Sequence, residues 1–379
     1  MWNRIAIAAA LAAFAFLAFA SGVDRMSIAN PALERLVPEP FRAQSAIATA
    51  ATALARGQDN ALPLAEEAVR AAPVEARALA LLGSARAVAG DAQGTDAAFR
   101  AAALLGWREP ATQIYWMEVA KAAGDWPNAM LRADAILRGN PRYREIGQLL
   151  APFADDAEGR RALVDRLAEA PNWRTFYLEP IDFPELDELR RRARVGRVLA
   201  TRTEGGSCEQ GTRLAQLLVD RGARAEAASY WDAYCPGASV QGGLADGGFD
   251  AGDGQVFGWR RHPTGDIAVR YEGTGDARRL SVNNRSRMTR LAASQPIALA
   301  GGERINLAGE VTGPAADRAI VVTVACEGRP VPPTADAPIL NERGQSITVP
   351  SNCPQPVLGL WARPDVGSVA IDNLSMTVR

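Results

Sequence analysis

The sequence predicts a multidomain α + β protein, with an N-terminal α-solenoid of helical hairpins followed by a C-terminal antiparallel β-sandwich. Two observations support this fold class. Before residue 236 the chain is rich in alanine and places apolar residues at helical spacing. From Gly247 onward, short runs of valine, isoleucine and leucine alternate with turns of Gly, Pro, Asn and Asp. The 379 residues leave room for about two or three hydrophobic cores.

Residues 1–23 are predicted to be a signal peptide or a membrane anchor. An apolar run from Ile5 to Ala20 follows a single arginine, and its extension to Val23 approaches the roughly 20 residues that cross a membrane. The small residues next to Ala20 suit cleavage after it, whereas an uncleaved anchor would keep the amino end in the cytoplasm. Either interpretation places the rest of the chain in the cell envelope: an uncleaved anchor holds it at the inner membrane, facing the periplasm, and a cleaved signal peptide leaves it in the periplasm.

An internal period runs through the first part of the chain. The Gly-Asp pairs that begin at Gly90 and Gly124 are 34 residues apart, and Gly57 precedes Gly90 by 33 residues. Pro73 and Pro141 are separated by 68 residues, which is two periods of 34. A period of about 34 residues built from two helices is typical of tetratricopeptide repeats.

This part of the chain therefore resembles the tetratricopeptide family. Leu82-Gly83 lies in the first helix of the second repeat, and a small residue begins each second helix, at Ala61, Thr95 and Ala129. Trp107 stands where the family's closing proline is expected, and so departs from the pattern. The resemblance implies a solenoid over residues 24–145 whose concave groove binds a protein partner. An unrelated alanine-rich helical bundle is the alternative.

Residues 146–235 are predicted to form further helical hairpins without a clear repeat. Apolar residues recur at helical spacing across 157–170 and 184–201, and a last helix-turn-helix spans 214–231. The basic run at 186–197 contains no aromatic residue, and the formal net charge of the chain is -1. A solvated helix face is therefore favoured there, and no nucleic-acid partner is expected.

The four cysteines favour an oxidising compartment and two disulfide bonds. Cys208 and Cys235 flank the last helical segment, while Cys326 and Cys353 both lie in the β-region, which indicates one bridge in each part. Four cysteines allow three connectivities. A zinc site is disfavoured because the chain has no Cys-x-x-Cys pair and only one histidine. Four free thiols are the alternative for a cytosolic chain.

Residues 236–246 are predicted to be a linker, and residues 247–379 a β-sandwich. Strands are expected where apolar and β-branched runs lie between turns. They are Ile267–Tyr271, Leu280–Asn283, Ile305–Val311, Ile320–Ala325, Ser346–Val349, Val357–Ala362 and Val369–Val378.

The β-region resembles jelly-roll carbohydrate-binding modules with a galactose-binding-like fold. The matching stretches, in chain order, are Gly247–Asp250, Phe257–Trp259, Leu280–Val282, Ala300–Gly302 and Ile371–Ser375. The resemblance implies adjacent first and last strands and a core that includes Phe249, Phe257 and Trp259. It also implies contact with a polysaccharide and a structural calcium ion.

Five residues of this module are candidate ligand-binding groups. Sugars stack on aromatic rings, and Tyr271 and Trp361 are the aromatic residues of the module that are not assigned to the predicted core. Arg260, His262 and Asn284 are nearby hydrogen-bonding groups. Burial is the alternative for Trp361, because it lies in the apolar strand VLGLWA.

Asp250 and Asp372 are candidate calcium ligands, because the resemblance brings the two ends of the module together. Calcium takes about six to eight oxygen ligands, so turn capping is the alternative role for each carboxylate. No other cofactor is expected.

The sequence contains none of the catalytic motifs HExxH, GxSxG and GxxxxGK[ST]. We therefore expect a non-enzymatic envelope protein that acts in the assembly or export of a cell-surface polysaccharide. A pure protein–protein interaction scaffold with a structural β-sandwich is the first alternative. A glycan-active enzyme with paired carboxylates is the second.

Overall fold

The computed structural model describes residues 2–181, 184–202, 207–236, 240, 243–250, 256–326 and 328–378. The chain divides into two compact units, residues 1–144 and residues 145–379. The first unit is helical, and the second begins with helices and ends with two antiparallel sheets. The predicted order, a helical region before a β-sandwich, is confirmed.

The first unit consists of hairpins of helices. Its helices are α1 (Trp2–Ser27), α2 (Ala43–Ala55), α3 (Ala61–Ala71), α4 (Ala76–Val88), α5 (Ala92–Leu104), α6 (Pro110–Ala122) and α7 (Trp126–Gly139). Two short 3-10 turns, Pro31–Leu36 and Glu39–Phe41, connect α1 to α2. The consecutive helices pack as the pairs α2–α3, α4–α5 and α6–α7, so the hairpins that the sequence period predicts are present.

The Gly-Asp pairs end one helix and begin the next. Gly90 and Gly124 have φ angles of 78° and 72°, a left-handed conformation that glycine adopts without a steric penalty. The Asp91 carboxylate accepts a hydrogen bond from the backbone N–H of Gly94 at 2.8 Å, and Asp125 caps its own helix in the same way. The same turn therefore recurs at the two Gly-Asp pairs that are 34 residues apart in the sequence.

Small residues let the paired helices approach closely. Gly83 of α4 faces the ring of Phe99 on α5, and a Cβ atom at Gly83 would lie 2.8 Å from two ring carbons. Phe99 is 4% exposed and stacks on Tyr115, with 4.3 Å between the ring centroids. The absence of a side chain at Gly83 therefore sets the distance between α4 and α5.

Helix α1 is long and apolar enough, by length and composition, to cross a membrane, with a span Arg4–Ser27 of mean hydropathy 2.2. The last turns of α1 nevertheless belong to the fold, since Ala20 is fully buried. The Asp24 carboxylate accepts hydrogen bonds from the backbone N–H groups of Gln44 at 2.8 Å and Ser45 at 3.0 Å. The end of α1 thus caps the first turn of α2.

The second unit begins with α8 (Ile146–Asp155), α9 (Ala157–Ala168), α10 (Arg174–Leu178), α11 (Leu186–Arg202), α12 (Cys208–Asp220) and α13 (Arg224–Tyr234). The α12–α13 hairpin packs against α11 around the buried rings of Tyr230, Trp231 and Tyr234. Phe257, which leads into the sandwich, belongs to the same core. The helices and the sandwich of this unit therefore share buried apolar surface.

The sandwich consists of two antiparallel sheets. Its strands are β1 (Arg260–Arg261), β2 (Ile267–Glu272), β3 (Arg279–Asn284), β4 (Arg290–Pro296), β5 (Arg304–Thr312), β6 (Ile320–Ala325), β7 (Gln345–Thr348), β8 (Val357–Ala362) and β9 (Ser368–Val378). One sheet has the order β1-β4-β8-β6 and the other β2-β3-β9-β5-β7. A short helix, α14 (Ala316–Ala319), precedes β6.

All the predicted strands are present, but the sequence pattern does not predict β1 or β4. The sequence of β4 is RLAASQP, whose small and polar residues have low strand propensity. Its residues are buried from Ala292 to Pro296 because β4 lies between β1 and β8. The buried Gln295 amide is satisfied by the backbone N–H and C=O of Ala245. Tertiary packing therefore overrides local propensity at this strand.

The two sheets enclose one core that contains Phe249 and Trp259. The third ring predicted for this core, Phe257, packs with the helices α11 to α13 instead. Phe249, Phe257 and Trp259 are 0%, 0% and 2% exposed. The N–H of Leu374 in β9 donates a hydrogen bond to the carbonyl of Gly247 at 2.9 Å. The start of the module therefore contacts β9. The expectation of adjacent first and last strands is corrected, because β1 pairs with β4 in one sheet and β9 lies between β3 and β5 in the other.

Candidate functional sites

Trp361 does not offer a ring face to a sugar. It lies in β8, whose six residues are all buried, and its own side chain is 7% exposed. The indole Nε1–H donates a hydrogen bond to Oγ1 of Thr323 at 2.9 Å, which satisfies its polar atom inside the sheet. The expectation of a sugar platform at Trp361 is corrected here, because a central strand buries the ring.

Tyr271 is half-buried at the other sheet. Its ring lies 6.4 Å from that of Phe249, and the guanidinium of Arg261 lies 4.5 Å from its centroid. Stacking by Arg261 occupies the ring where a sugar would stack. The five aromatic residues of the sandwich are all described, and each is buried or half-buried; they are Phe249, Phe257, Trp259, Tyr271 and Trp361.

Asn284 holds strand ends together. Its side chain is 2% exposed, and Nδ2 donates hydrogen bonds to the carbonyls of Met288 at 2.8 Å and Ala362 at 2.9 Å. Oδ1 accepts hydrogen bonds from the backbone N–H and the hydroxyl of Ser286. These internal bonds occupy the amide group, so its expected role as a sugar ligand is corrected to a structural one.

His262 and Arg260 lie at the edge of the first sheet. The His262 ring Nε2 is 2.8 Å from Oγ of Ser294. Burial, and after it the charge of Arg260, lower the pKa of His262 below its ordinary value, so the ring is neutral at pH 7. The fold therefore brings together two of the ligand groups that the sequence predicts, His262 and Arg260.

Asp250 and Asp372 both take part in local hydrogen bonds. The Asp250 carbonyl accepts a hydrogen bond from Nη1 of Arg278 at 2.8 Å, and Asp372 Oδ1 accepts one from the N–H of Asn373 at 2.7 Å. Within the described ranges, no three His, Cys, Asp or Glu side chains are grouped to hold a metal ion. Calcium binding at this pair therefore stays a prediction.

The predicted disulfide pairing is confirmed. Cys208 and Cys235 join the start of α12 to the residue after α13, with 4.7 Å between their Cα atoms. Cys326 and Cys353 join the end of β6 to the loop before β8, with 4.5 Å between their Cα atoms. One bridge thus constrains the last helical hairpin, and the other constrains one edge of the sandwich.

A cleft of about 650 Å³ opens in the first unit beside the α6–α7 hairpin. Its lining residues are Trp107, Arg108, Pro110, Gln113, Ala135, Ile136, Arg138, Gly139, Asn140 and Tyr143. Trp107 is 48% exposed although its ring is large and apolar. The guanidinium of Arg132 lies 3.8 Å from the Trp107 ring centroid, and its Nη1 donates a hydrogen bond to Oε1 of Gln113 at 3.0 Å. The cation–π contact therefore fixes the orientation of the ring.

The cleft offers hydrogen-bond donors beside its apolar surface. Gln113 is 0% exposed, and its Nε2 has no hydrogen-bond partner among the described residues. Arg108 is exposed at the rim, and Arg138 is paired with Asp134 at 2.7 Å. Burial lowers the pKa of Arg132 below its ordinary value, although the guanidinium remains a cation at pH 7. A ligand that brings acceptors and an apolar group would satisfy this lining.

Sequence reasoning did not identify this cleft as a site. It marked Trp107 only as a departure from the repeat, and it did not single out Gln113 or Arg132. These two residues lie on consecutive helices, 19 positions apart, so their contact depends on how α6 and α7 cross. The sequence signal that could have indicated the cleft was Trp107, a tryptophan at a position where the repeat pattern usually has proline.

Comparisons with known proteins do not assign this chain to a family. No protein-family model matches the sequence, and no curated protein matches it significantly.

Proposed function

We propose that the protein is a membrane-tethered scaffold of the cell envelope, whose first helical unit holds an acidic segment of a partner protein. The apolar helix α1 supports a tether, and the two disulfide bonds support an oxidising compartment. The observation that carries the proposal is the exposed Trp107 ring, held by Arg132 beside the Gln113 Nε2 group, which has no hydrogen-bond partner among the described residues.

The end of α1 supports a retained anchor in preference to a cleaved leader. Ala20 is fully buried, and the Phe16 ring contacts the Phe41 ring at 5.9 Å between centroids. Cleavage after Ala20 would remove Phe16 and leave Asp24, which caps α2, close to the new N-terminus of the chain. Retention of the helix keeps these contacts and joins the membrane span directly to the first unit.

The composition of the cleft supports an acidic peptide as the occupant. The lining includes two arginines and the Gln113 donor, and no carboxylate. Peptide carbonyls and side-chain carboxylates are acceptors that match such donors, and charge-assisted bonds to arginine are the stronger kind. Tryptophan and arginine are also the residue types that contribute most to binding at protein interfaces. The tetratricopeptide resemblance of the hairpins agrees with this role.

In-cell photo-crosslinking tests the proposal. A photoreactive phenylalanine derivative is placed at Asn140, inside the cleft, or at Val88, which is 79% exposed on α4 and does not line it. We expect a discrete crosslinked partner from position 140 and none from position 88. Trp107→Ala should lower the yield about five-fold or more, because loss of an interface hot spot costs more than about 1 kcal/mol.

Leu104→Ala is the matched control, because Leu104 is 85% exposed and lies outside the cleft. It truncates an exposed apolar side chain of the same unit and should leave the yield unchanged. The proposal fails if position 140 gives no partner in native membranes. It also fails if the partner has no acidic segment, or if the Trp107 and Leu104 variants crosslink equally.

A role in assembling or exporting a cell-surface polysaccharide is the second candidate. Its support is the resemblance of the sandwich to carbohydrate-binding modules, with the ends of the module joined through Gly247 and Leu374. The burial of the aromatic rings favours the scaffold with a structural sandwich instead. A glycan array probed with the full chain in detergent separates the two: binding to one polysaccharide class, competed by its free sugar, would support the polysaccharide role.

A further inference from the structure

A small polar pocket of about 170 Å³ lies in the second unit, between the α12–α13 turn and the first sheet of the sandwich. Its polar and charged lining residues are Asp220, Arg224, Arg260, Ser294 and Gln355. Five separate parts of the chain therefore build it: the α12–α13 turn, β1, β4, the loop after β6 and the start of β8. Its position and chemistry differ from those of the cleft in the first unit.

Arg224 is a buried cation with unused hydrogen-bonding capacity. It is the first residue of α13, and its side chain is 7% exposed. Its Nη1 donates a hydrogen bond to the carbonyl of Pro356, whereas Nε is buried without a partner. Among the described residues Arg224 makes no ion pair. The remaining Nε and Nη2 groups form the planar edge that binds two oxygens of one anion.

A second cation strengthens the positive potential of the pocket. Arg260 is exposed in β1, and the described part of the chain gives it no ion pair. Burial, and after it the charge of Arg260, lower the pKa of Arg224 to about 10, so Arg224 remains a cation at pH 7. A buried cation without a counter-charge is costly, and a bound anion would remove that cost.

One carboxylate and two neutral polar groups complete the polar part of the lining. Asp220 is exposed, and its Oδ1 accepts a hydrogen bond from Nε2 of Gln216 at 2.7 Å. Against two arginines, this single carboxylate leaves a net positive charge. The Ser294 hydroxyl, which contacts the ring of His262, and the Gln355 side chain add neutral polar groups.

Both disulfide bonds hold the walls of this pocket in place. Cys208–Cys235 closes the α12–α13 hairpin, which carries Arg224 at its turn. Cys326–Cys353 clamps the loop that precedes Gln355, and the Gln355 N–H donates a hydrogen bond to the Cys326 carbonyl at 3.2 Å. The polar groups are therefore positioned before any ligand arrives, which reduces the entropic cost of binding.

We propose that this pocket binds an oxyanionic group, held at the Nε–Nη2 edge of Arg224 with Arg260 and the Ser294 hydroxyl as further contacts. Its volume of about 170 Å³ suits a carboxylate or phosphate group, while whole drug-sized ligands occupy roughly 300–1,000 Å³. The anion is either a substituent of a larger sugar or free phosphate. This inference depends on the pocket alone, so it stands or falls independently of the scaffold function.

The single histidine of the chain makes the test specific. His262 contacts Ser294 at the pocket, so the NMR signals of labelled histidine in the full chain in detergent report on this site. Inorganic phosphate, glucuronate and neutral glucose are added separately at constant ionic strength, with a purification tag that contains no histidine. We expect saturable shifts with phosphate, with glucuronate or with both, and none with glucose.

Two variants and one control locate the anion. Arg260→Gln, at an exposed position, should weaken binding about ten-fold or more, as loss of a charge-assisted hydrogen bond does. Arg224→Lys keeps the charge but loses the planar edge, and should also weaken it. Arg270→Gln removes an equivalent exposed charge from β2 in the other sheet and should leave the affinity unchanged. Circular dichroism checks that each variant folds. If Arg224→Lys does not fold, the affinity of Arg260→Gln tests the proposal.

The outcomes separate cleanly. A response to glucuronate alone assigns the pocket to the carboxylate of an acidic sugar, a response to phosphate alone assigns it to free phosphate, and a response to both supports a general oxyanion site. The proposal is overturned if neither anion gives a saturable shift or if glucose acts equally. It is also overturned if Arg260→Gln binds as tightly as Arg270→Gln.

Discussion

Gly83→Ala should destabilise the first unit, although alanine is the better helix former. The exchange favours the helix by about 1 kcal/mol. The new Cβ would lie 2.8 Å from two carbons of Phe99, and overpacking of this kind costs about 1–3 kcal/mol. Phe99 is 4% exposed and stacks on Tyr115 at an interplanar angle of 13°, so it has little room to move. We therefore expect a net loss of up to about 2 kcal/mol.

The assay is urea unfolding of the full chain, read by hydrogen exchange in α4 and α5 so that only the first unit is followed. Gly139→Ala is the control, because its Cβ position has no atom within 4 Å, and we expect a neutral or stabilising effect. In a Phe99→Leu background the clash is relieved, so Gly83→Ala should change sign and stabilise by up to about 1 kcal/mol. A stabilising effect of the single substitution in the wild-type background would refute this reasoning.

Two further predictions concern the second unit. Replacement of Cys208 and Cys235 by serine should lower its stability by about 3–4 kcal/mol in the chain-entropy model, because the bridge spans a sequence separation of 27; an unchanged urea midpoint would contradict this. The pKa of His262 is lower in the folded chain than in the unfolded chain, so the unfolded chain binds more protons in the window between the two values. The contribution of His262 to the free energy of unfolding should be fully present above roughly pH 6.5 and should be lost as the pH drops through the folded-state pKa. His262→Gln should therefore reduce the dependence of the free energy of unfolding on pH in this range. An equal pH dependence in the two proteins would count against the assignment.

Features set by local chemistry were accessible from the sequence. The hairpins follow from Gly-Asp pairs such as Gly90-Asp91, because a left-handed glycine ends one helix and an aspartate caps the next. Strands with β-branched or apolar runs, such as Ile320–Ala325, were predicted with the same bounds as observed. The disulfide pairing also followed from which cysteines shared a segment.

Features set by distant contacts were not accessible in the same way. Trp361 and Asn284 have side chains that could bind a sugar, but neighbouring strands bury both and satisfy their polar atoms. Strand β4 has a weak local pattern and forms because it lies between two other strands. Burial is a property of the neighbours, so the residue type alone does not reveal it.

The sequence by itself determined the order of the parts, the apolar helix at the N-terminus, the helical period and the two bridges, because each depends on residues that are close together in the chain. Only the tertiary structure decided where the candidate sites lie. Arg224, Arg260 and Ser294 are brought together from a helix turn and two strands, and no local pattern links them. Trp107 and Arg132 likewise meet only because α6 and α7 pack as a hairpin.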